Sequence, residues 1–206
     1  MEKRRLLPLL LLCVGALAVW PVRDKLTAEA IAAWSPRGTA LAAVFLLVLY
    51  ALKSLSVAFP LSALEAAGGL LFPLPVALTV NLAGVLLAQT VPFLLGRREQ
   101  EGLEALTAKH PRLAALRPME HPGRSVFLLR LAGATPGDLF SLYLGAAGVS
   151  LRAYLTGGFL GSLPRVAATT VLGAALWDIG STRFWLSLLP GAVLTGLSFL
   201  LWRLWR

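Results

Sequence analysis

The stretch from Ser125 to Pro164 constrains this chain more than any other. It opens on residues apolar enough for a membrane, yet it carries Arg130 and Asp138. Between them runs Ala132-Gly133-Ala134-Thr135-Pro136-Gly137, which a straight helix disfavours. Glycine costs roughly 1 kcal/mol and proline about 3 kcal/mol in a helix interior. Broken backbone at membrane depth is tolerated only where protein or trapped water surrounds it. A charge beside such a break marks a functional site. The stretch is predicted to form a re-entrant hairpin followed by a spanning helix.

The rest of the chain supports a membrane setting. Of its 206 residues 57% are hydrophobic and 14% charged, with a mean hydropathy of +0.76. A soluble domain carries about 25% charged residues. The apolar runs are long and continuous, unlike the short alternating strands of a membrane barrel. The predicted class is an all-α polytopic membrane protein. The formal charge of +9 comes from basic residues that flank the apolar runs. That is the pattern of membrane topology rather than of a nucleic-acid surface. Membrane lipids are the expected partners, nucleic acid is not, and a homo-oligomer is compatible with the sequence.

Little else in the composition points to chemistry. Cys13 is the single cysteine and lies in an apolar run, where it reads as a small hydrophobe. His110 and His121 share one polar loop, short of the four ligands a structural zinc takes. No metal site and no cofactor is expected. No nucleophile–base pair or phosphate-binding loop is visible, so no catalytic residue is assigned and no enzyme is predicted.

Residues 1–37 read as an N-terminal anchor segment and a polar connection; 38–206 read as a single membrane domain. The basic start and the short run Leu6 to Trp20 resemble a signal peptide, and we read them as an uncleaved short or tilted anchor. Gly38 to Phe59 is expected to span, with Lys53 snorkelling to the interface. Pro60 breaks that helix. Ser62-x-x-Glu65 has capping-box spacing, and the short apolar segment Ala63–Leu71 contains Gly68 and is too short to cross. Val76 to Leu95 is a full span, in which Asn81 and Gln89 are expected to hydrogen-bond between helices. Gly96 to Arg124 is a polar loop with leucines at helical spacing, predicted to be cytoplasmic together with the C-terminus because it is rich in arginine. Leu151 to Trp177 and Phe184 to Trp202 complete the predicted spans, about four to five in all.

A loose internal repeat accompanies these elements. Ser62…Glu65 and Thr135…Asp138 each place a hydroxyl three positions before an acid, and Ala66-Ala67-Gly68-x-x-Leu71 recurs as Ala146-Ala147-Gly148-x-x-Leu151. One span between two hairpins makes them enter from opposite faces. Two facing re-entrant hairpins in an inverted repeat are the architecture of secondary transporters.

Arg130-Leu131-x4-Pro136, Tyr143-x4-Gly148-x2-Leu151-Arg152-x-Tyr154 and Gly161-x2-Pro164 resemble the signature of the DedA superfamily. The branch it resembles is the VTT-domain, or SNARE-associated Golgi protein, family. Pro60…Ala67-Gly68…Leu71-Phe72 and Phe93-Leu94-Leu95-Gly96-Arg97 resemble that family's first half, so the resemblance covers roughly 51–175. Gly133, Pro73 and Asp138 depart from the pattern. The resemblance implies an integral membrane transporter that moves phospholipid or polyprenyl-phosphate between leaflets, with or without a coupling ion. It also implies a multi-pass protein of the cell membrane, here a bacterial inner membrane. The alternatives are a proton- or sodium-coupled carrier of a small solute and a non-transporting scaffold.

Arg130 and Arg165 are the candidate contacts for a headgroup phosphate, since guanidinium forks match phosphate geometry. Glu65 and Asp138 are candidates for ion coupling or for pairing with Arg130. Pro60, Gly68, Gly133, Pro136, Gly137 and Gly148 are the candidate hairpin-turn residues.

Overall fold

The computed structural model describes residues 14–15, 17–56, 59–100, 121–132, 137–175 and 193, and the regular structure among them is helical. A single-turn element, Trp20–Lys25, leads to α1 (Ala28–Trp34), capped by Thr27, whose hydroxyl accepts from the Ala30 amide at 3.2 Å. The core then repeats one sequence of elements twice. The first half is α2 (Thr39–Lys53), a break, α3 (Leu61–Leu71) and α4 (Leu74–Arg97). The second is α5 (Pro122–Ala132), α6 (Gly137–Ala146) and α7 (Leu151–Ala175).

Small residues set the packing. A side-chain carbon added at Gly69 would strike the Thr170 carbonyl and the Ala174 amide; one at Gly145 would strike the Phe93 carbonyl and the Arg97 amide. One at Gly173 would strike the Ala66 backbone, and one at Gly96 the Leu142 backbone. Close backbone approach is how helices associate where no hydrophobic force draws them together. Each short helix therefore lies on the long helix of the other half: α3 on α7, and α6 on α4. Gly69 and Gly145 are 76 positions apart, and Gly96 and Gly173 are 77 apart. Gly84 against Tyr50 and Gly161 against Phe127 repeat the same shift of 77. The two halves thus exchange places under one two-fold relation.

That register corrects the motif alignment. Ala66 to Gly68 lie inside α3, whereas Gly148 ends α6 with a φ of +79° that suits glycine. The structural counterpart of Glu65 is Ser141, and that of Ser62 is Asp138. Lys53 corresponds to Arg130.

The two long helices run antiparallel. Gln89 donates to Ser162 at 3.1 Å, and Asn81 donates to Thr170 at 2.8 Å. Asn81 also donates to the Glu65 carbonyl at 2.7 Å and accepts from the Tyr50 hydroxyl at 3.1 Å. Both polar residues join helices, as expected for amides inside apolar segments. By length and composition, α4 is the one described helix able to cross a membrane.

Three boundaries differ from expectation. The predicted span from Gly38 to Phe59 is a 15-residue helix ending at Lys53, too short to cross alone. Pro60 is the residue before α3, and Ser62 and Glu65 form no cap: the first turn makes no side-chain cap hydrogen bond. Glu65 is instead turned toward α7. Gly68 is not a turn residue; it sits within α3, where a methyl group would overlap the Asn81 amide. Gly133, Pro136, the N-terminal run to residue 13, most of the polar loop and the last predicted span lie outside the described residues.

Candidate functional site

Five charged side chains gather around the breaks and the helices that face them. Lys53 ends α2, where the chain turns toward α3, and its ammonium pairs with the Asp138 carboxylate in the first turn of α6. Both are buried, with side chains 6% and 8% exposed. Lys53 therefore does not snorkel. Its partner, 85 residues away, supplies the opposite charge that burial of an ammonium requires. Asp138 was expected to pair with Arg130 and pairs with Lys53 instead.

A second pair links α3 to α7. Glu65 is fully buried, and Arg165 Nη1 lies 2.7 Å from its Oε1 and 2.8 Å from its Oε2. Arg165 sits directly after Pro164, and its side chain is 37% exposed. Its Nη1 is paired with a carboxylate. Removing one member of a buried pair leaves the other charge uncompensated, which costs about 3–5 kcal/mol when both are fully buried.

Arg130 is held differently. It rises from the last turn of α5 toward α6 and α7. Its Nη2 donates to Ser141 Oγ at 2.6 Å and to Tyr154 Oη at 2.9 Å, and its Nη1 donates to the Gly137 carbonyl at 3.4 Å. Ser141 passes its own proton to the Gly137 carbonyl at 2.5 Å, and Tyr154 passes its proton to the Gln89 carbonyl at 2.9 Å. Both hydroxyls thus turn lone pairs toward the guanidinium. The rings of Phe140 and Tyr154 lie with centroids 5.9 Å from the guanidinium carbon, within cation–π range. Tyr154 is fixed in turn by stacking on Phe93 at 4.1 Å between centroids. No carboxylate among the described residues pairs with Arg130, and its Nε has no hydrogen-bond partner.

Among the described residues each hydrogen-bond partner of Arg130 is neutral and no carboxylate pairs with it, while Lys53 and Arg165 each pair with a carboxylate. Arg130 is only partly buried, so an anion can reach it. The arrangement is a preset cation with its fork held by hydroxyls, suited to an oxyanion. Sequence reasoning found Arg130, Glu65, Asp138 and Arg165 but missed Lys53, Ser141 and Tyr154. Of these, Tyr154 stood inside a recognised motif, and Lys53 stood inside an apolar run, which was a signal read the other way. Gly137 is the first residue of α6, and Gly148 lies just beyond its end with a positive φ. Among the described residues no group of three or more acids, histidines or cysteines could hold a metal ion.

No curated protein and no solved structure matches the chain. A family model for the VTT domain matches residues 59–175, from the start of the first short helix to the end of α7. The match takes in α3 to α7 and, with them, Glu65, Arg130, Asp138, Ser141, Tyr154 and Arg165. With that match over more than half of its length, the chain belongs to the VTT-domain family, that of the DedA and SNARE-associated Golgi membrane proteins.

Proposed function

We propose that this chain is an integral membrane lipid transporter of the flippase or scramblase kind, not an enzyme, that moves phospholipid or polyprenyl-phosphate between leaflets. The observation that carries the reading is Arg130: a uncompensated guanidinium in an apolar helical core, preset by neutral hydroxyls. An intramembrane charge is costly and is retained where it acts on a substrate. The break–short helix units of the two halves are the two re-entrant hairpins, facing each other from opposite membrane faces. The antiparallel long helices support that placement. Gly123 at the start of α5 lies against Ala153 at the start of α7, so the chain enters and leaves the second hairpin at one end. The protein is multi-pass in the cell membrane, a bacterial inner membrane, and works on its lipids alone or as a homo-oligomer. The Glu65–Arg165 pair is the place where a coupling proton or sodium ion acts.

The test is lipid transport by purified variants in liposomes. Arg130→Ala and Arg130→Lys should both insert and fold, and both should lose most activity, because a point charge does not replace the fork. Wild-type rates in either variant would overturn the headgroup role. The same Glu65–Arg165 pair favours a second reading, an ion-coupled carrier of a small solute. Ion-driven uptake of a water-soluble solute without lipid movement would support that reading over the first.

A further inference from the structure

We infer that Asp138 sets the charge of the headgroup this protein accepts, and restricts it to a monoanionic phosphodiester over a dianionic phosphomonoester. The inference rests on the headgroup reading of Arg130 and narrows its cargo to phospholipid diesters, over the monoester polyprenyl-phosphate.

The argument is a charge count around the second break. Lys53 and Arg130 occupy equivalent positions in the two halves, so the two-fold relation supplies two cations. Asp138 neutralises one of them through its pair with Lys53. It also directly follows Gly137, whose carbonyl accepts from Arg130, so its charge is felt at Arg130 as well. Among the described residues, the other groups in contact with Arg130 are neutral: Ser141, Tyr154, Phe140 and backbone. Glu65 and Arg165 cancel one another on α3 and α7. The surplus is one positive charge. One negative charge on the ligand neutralises it; a second would be buried without a partner, which apolar surroundings penalise heavily.

Asp138 is not the counterpart of Glu65 under the two-fold relation; that place belongs to Ser141. The acid is an addition to the repeat, and its effect is to reduce a surplus of two cations to one. Replacing it by an amide of the same shape restores the second charge. A unit charge in a partly screened interior changes affinity for one further ligand charge by roughly tenfold.

The test uses the purified full chain in phosphatidylcholine liposomes. Fluorescent phosphatidylglycerol is the diester probe and fluorescent phosphatidate the monoester probe, at a pH well above the second phosphate ionisation of about 6. Binding of short-chain forms of the same lipids to detergent-solubilised protein is measured in parallel. Wild type should favour the diester in both measurements. Asp138→Asn should shift the ratio toward the monoester by roughly tenfold. Lys53→Met with Asp138→Leu removes one charge of each sign and should keep the wild-type ratio. Ser141→Asp cancels the surplus and should weaken both probes, the monoester more. The inference is overturned by a ratio unmoved in Asp138→Asn, or by an equal shift in the double variant. Should Asp138→Asn not fold, Ser141→Asp decides alone, and equal binding of both probes there overturns the inference. Transport with an unmoved ratio leaves the transporter reading standing. A binding ratio that follows the charge count without transport overturns only that reading. Binding of neither lipid overturns both.

Discussion

The two halves of the core share a skeleton and differ in chemistry. In each, a helix carries a cation in its last turn, a short helix follows, and a long helix carries glycines that admit the other half's short helix. The first half places Lys53 and Glu65 at positions where the second places Arg130 and Ser141. Both charges of the first half are neutralised across the interface, by Asp138 and Arg165. The cation of the second half faces only hydroxyls, carbonyls and rings. Backbone packing obeys the two-fold relation because helices can approach closely only at glycine, wherever the chain repeats. Side-chain charge is free to diverge, and of the cations at these equivalent positions Arg130 has no carboxylate partner among the described residues. The charges of the first half join the two halves, and the proposed headgroup contact uses the cation of the second.

That contrast can be broken by experiment. The largest effect is expected at the inter-half pair: Lys53→Met leaves Asp138 buried and unpaired and should cost about 3–5 kcal/mol of stability. Thermal unfolding in detergent measures it, and Lys53→Met with Asp138→Leu should recover most of the loss. If both variants are equally destabilised, the pair is not what joins the halves. Overpacking comes next. Gly69→Ala and Gly145→Ala push a carbon into backbone of the facing long helix and should each cost about 1–3 kcal/mol. Equal losses at the two sites would support the shared skeleton; a loss at one alone would break it. Glu65→Gln should cost about 1–3 kcal/mol, below the fully buried range because Arg165 is partly exposed to its surroundings. Its counterpart Ser141→Ala is expected to be the mildest, about 1 kcal/mol, since only neutral hydrogen-bonding atoms are lost. A similar cost for Glu65→Gln and Ser141→Ala would erase the difference between the halves.

Much of this was legible in the residues, and the failures have a common cause. The long apolar segment with Asn81 and Gln89 could be read directly, because amides in such a segment need partners and only another helix offers them. The glycines and proline before Asp138 read as a break, and residues 133–136 lie outside the described residues. Lys53 was misread because it stands near the end of its apolar run, where snorkelling is the usual outcome. Its true partner is distant in sequence, and no local pattern points to it. The partner of Arg165 was missed for the same reason: Glu65 lies 100 residues earlier. The repeat was detected but set in the wrong register. Ala-Ala-Gly matches by letters, whereas the structure repeats the places where one backbone meets another.

The crossed pairing also sets a timetable for biogenesis. Glu65 leaves the ribosome 100 residues before Arg165, and Lys53 leaves it 85 before Asp138. At roughly 5–20 residues per second, each charge waits on the order of 5–20 s for its partner. During that interval α3 has no α7 to rest on and α2 has no neutralised end. The first half must therefore remain beside the insertion machinery, or protonated or hydrated, until the second half emerges. A ribosome stalled before residue 165 would hold a buried-site carboxylate with nothing to neutralise it, and the nascent chain should be open to membrane proteases until translation passes that point.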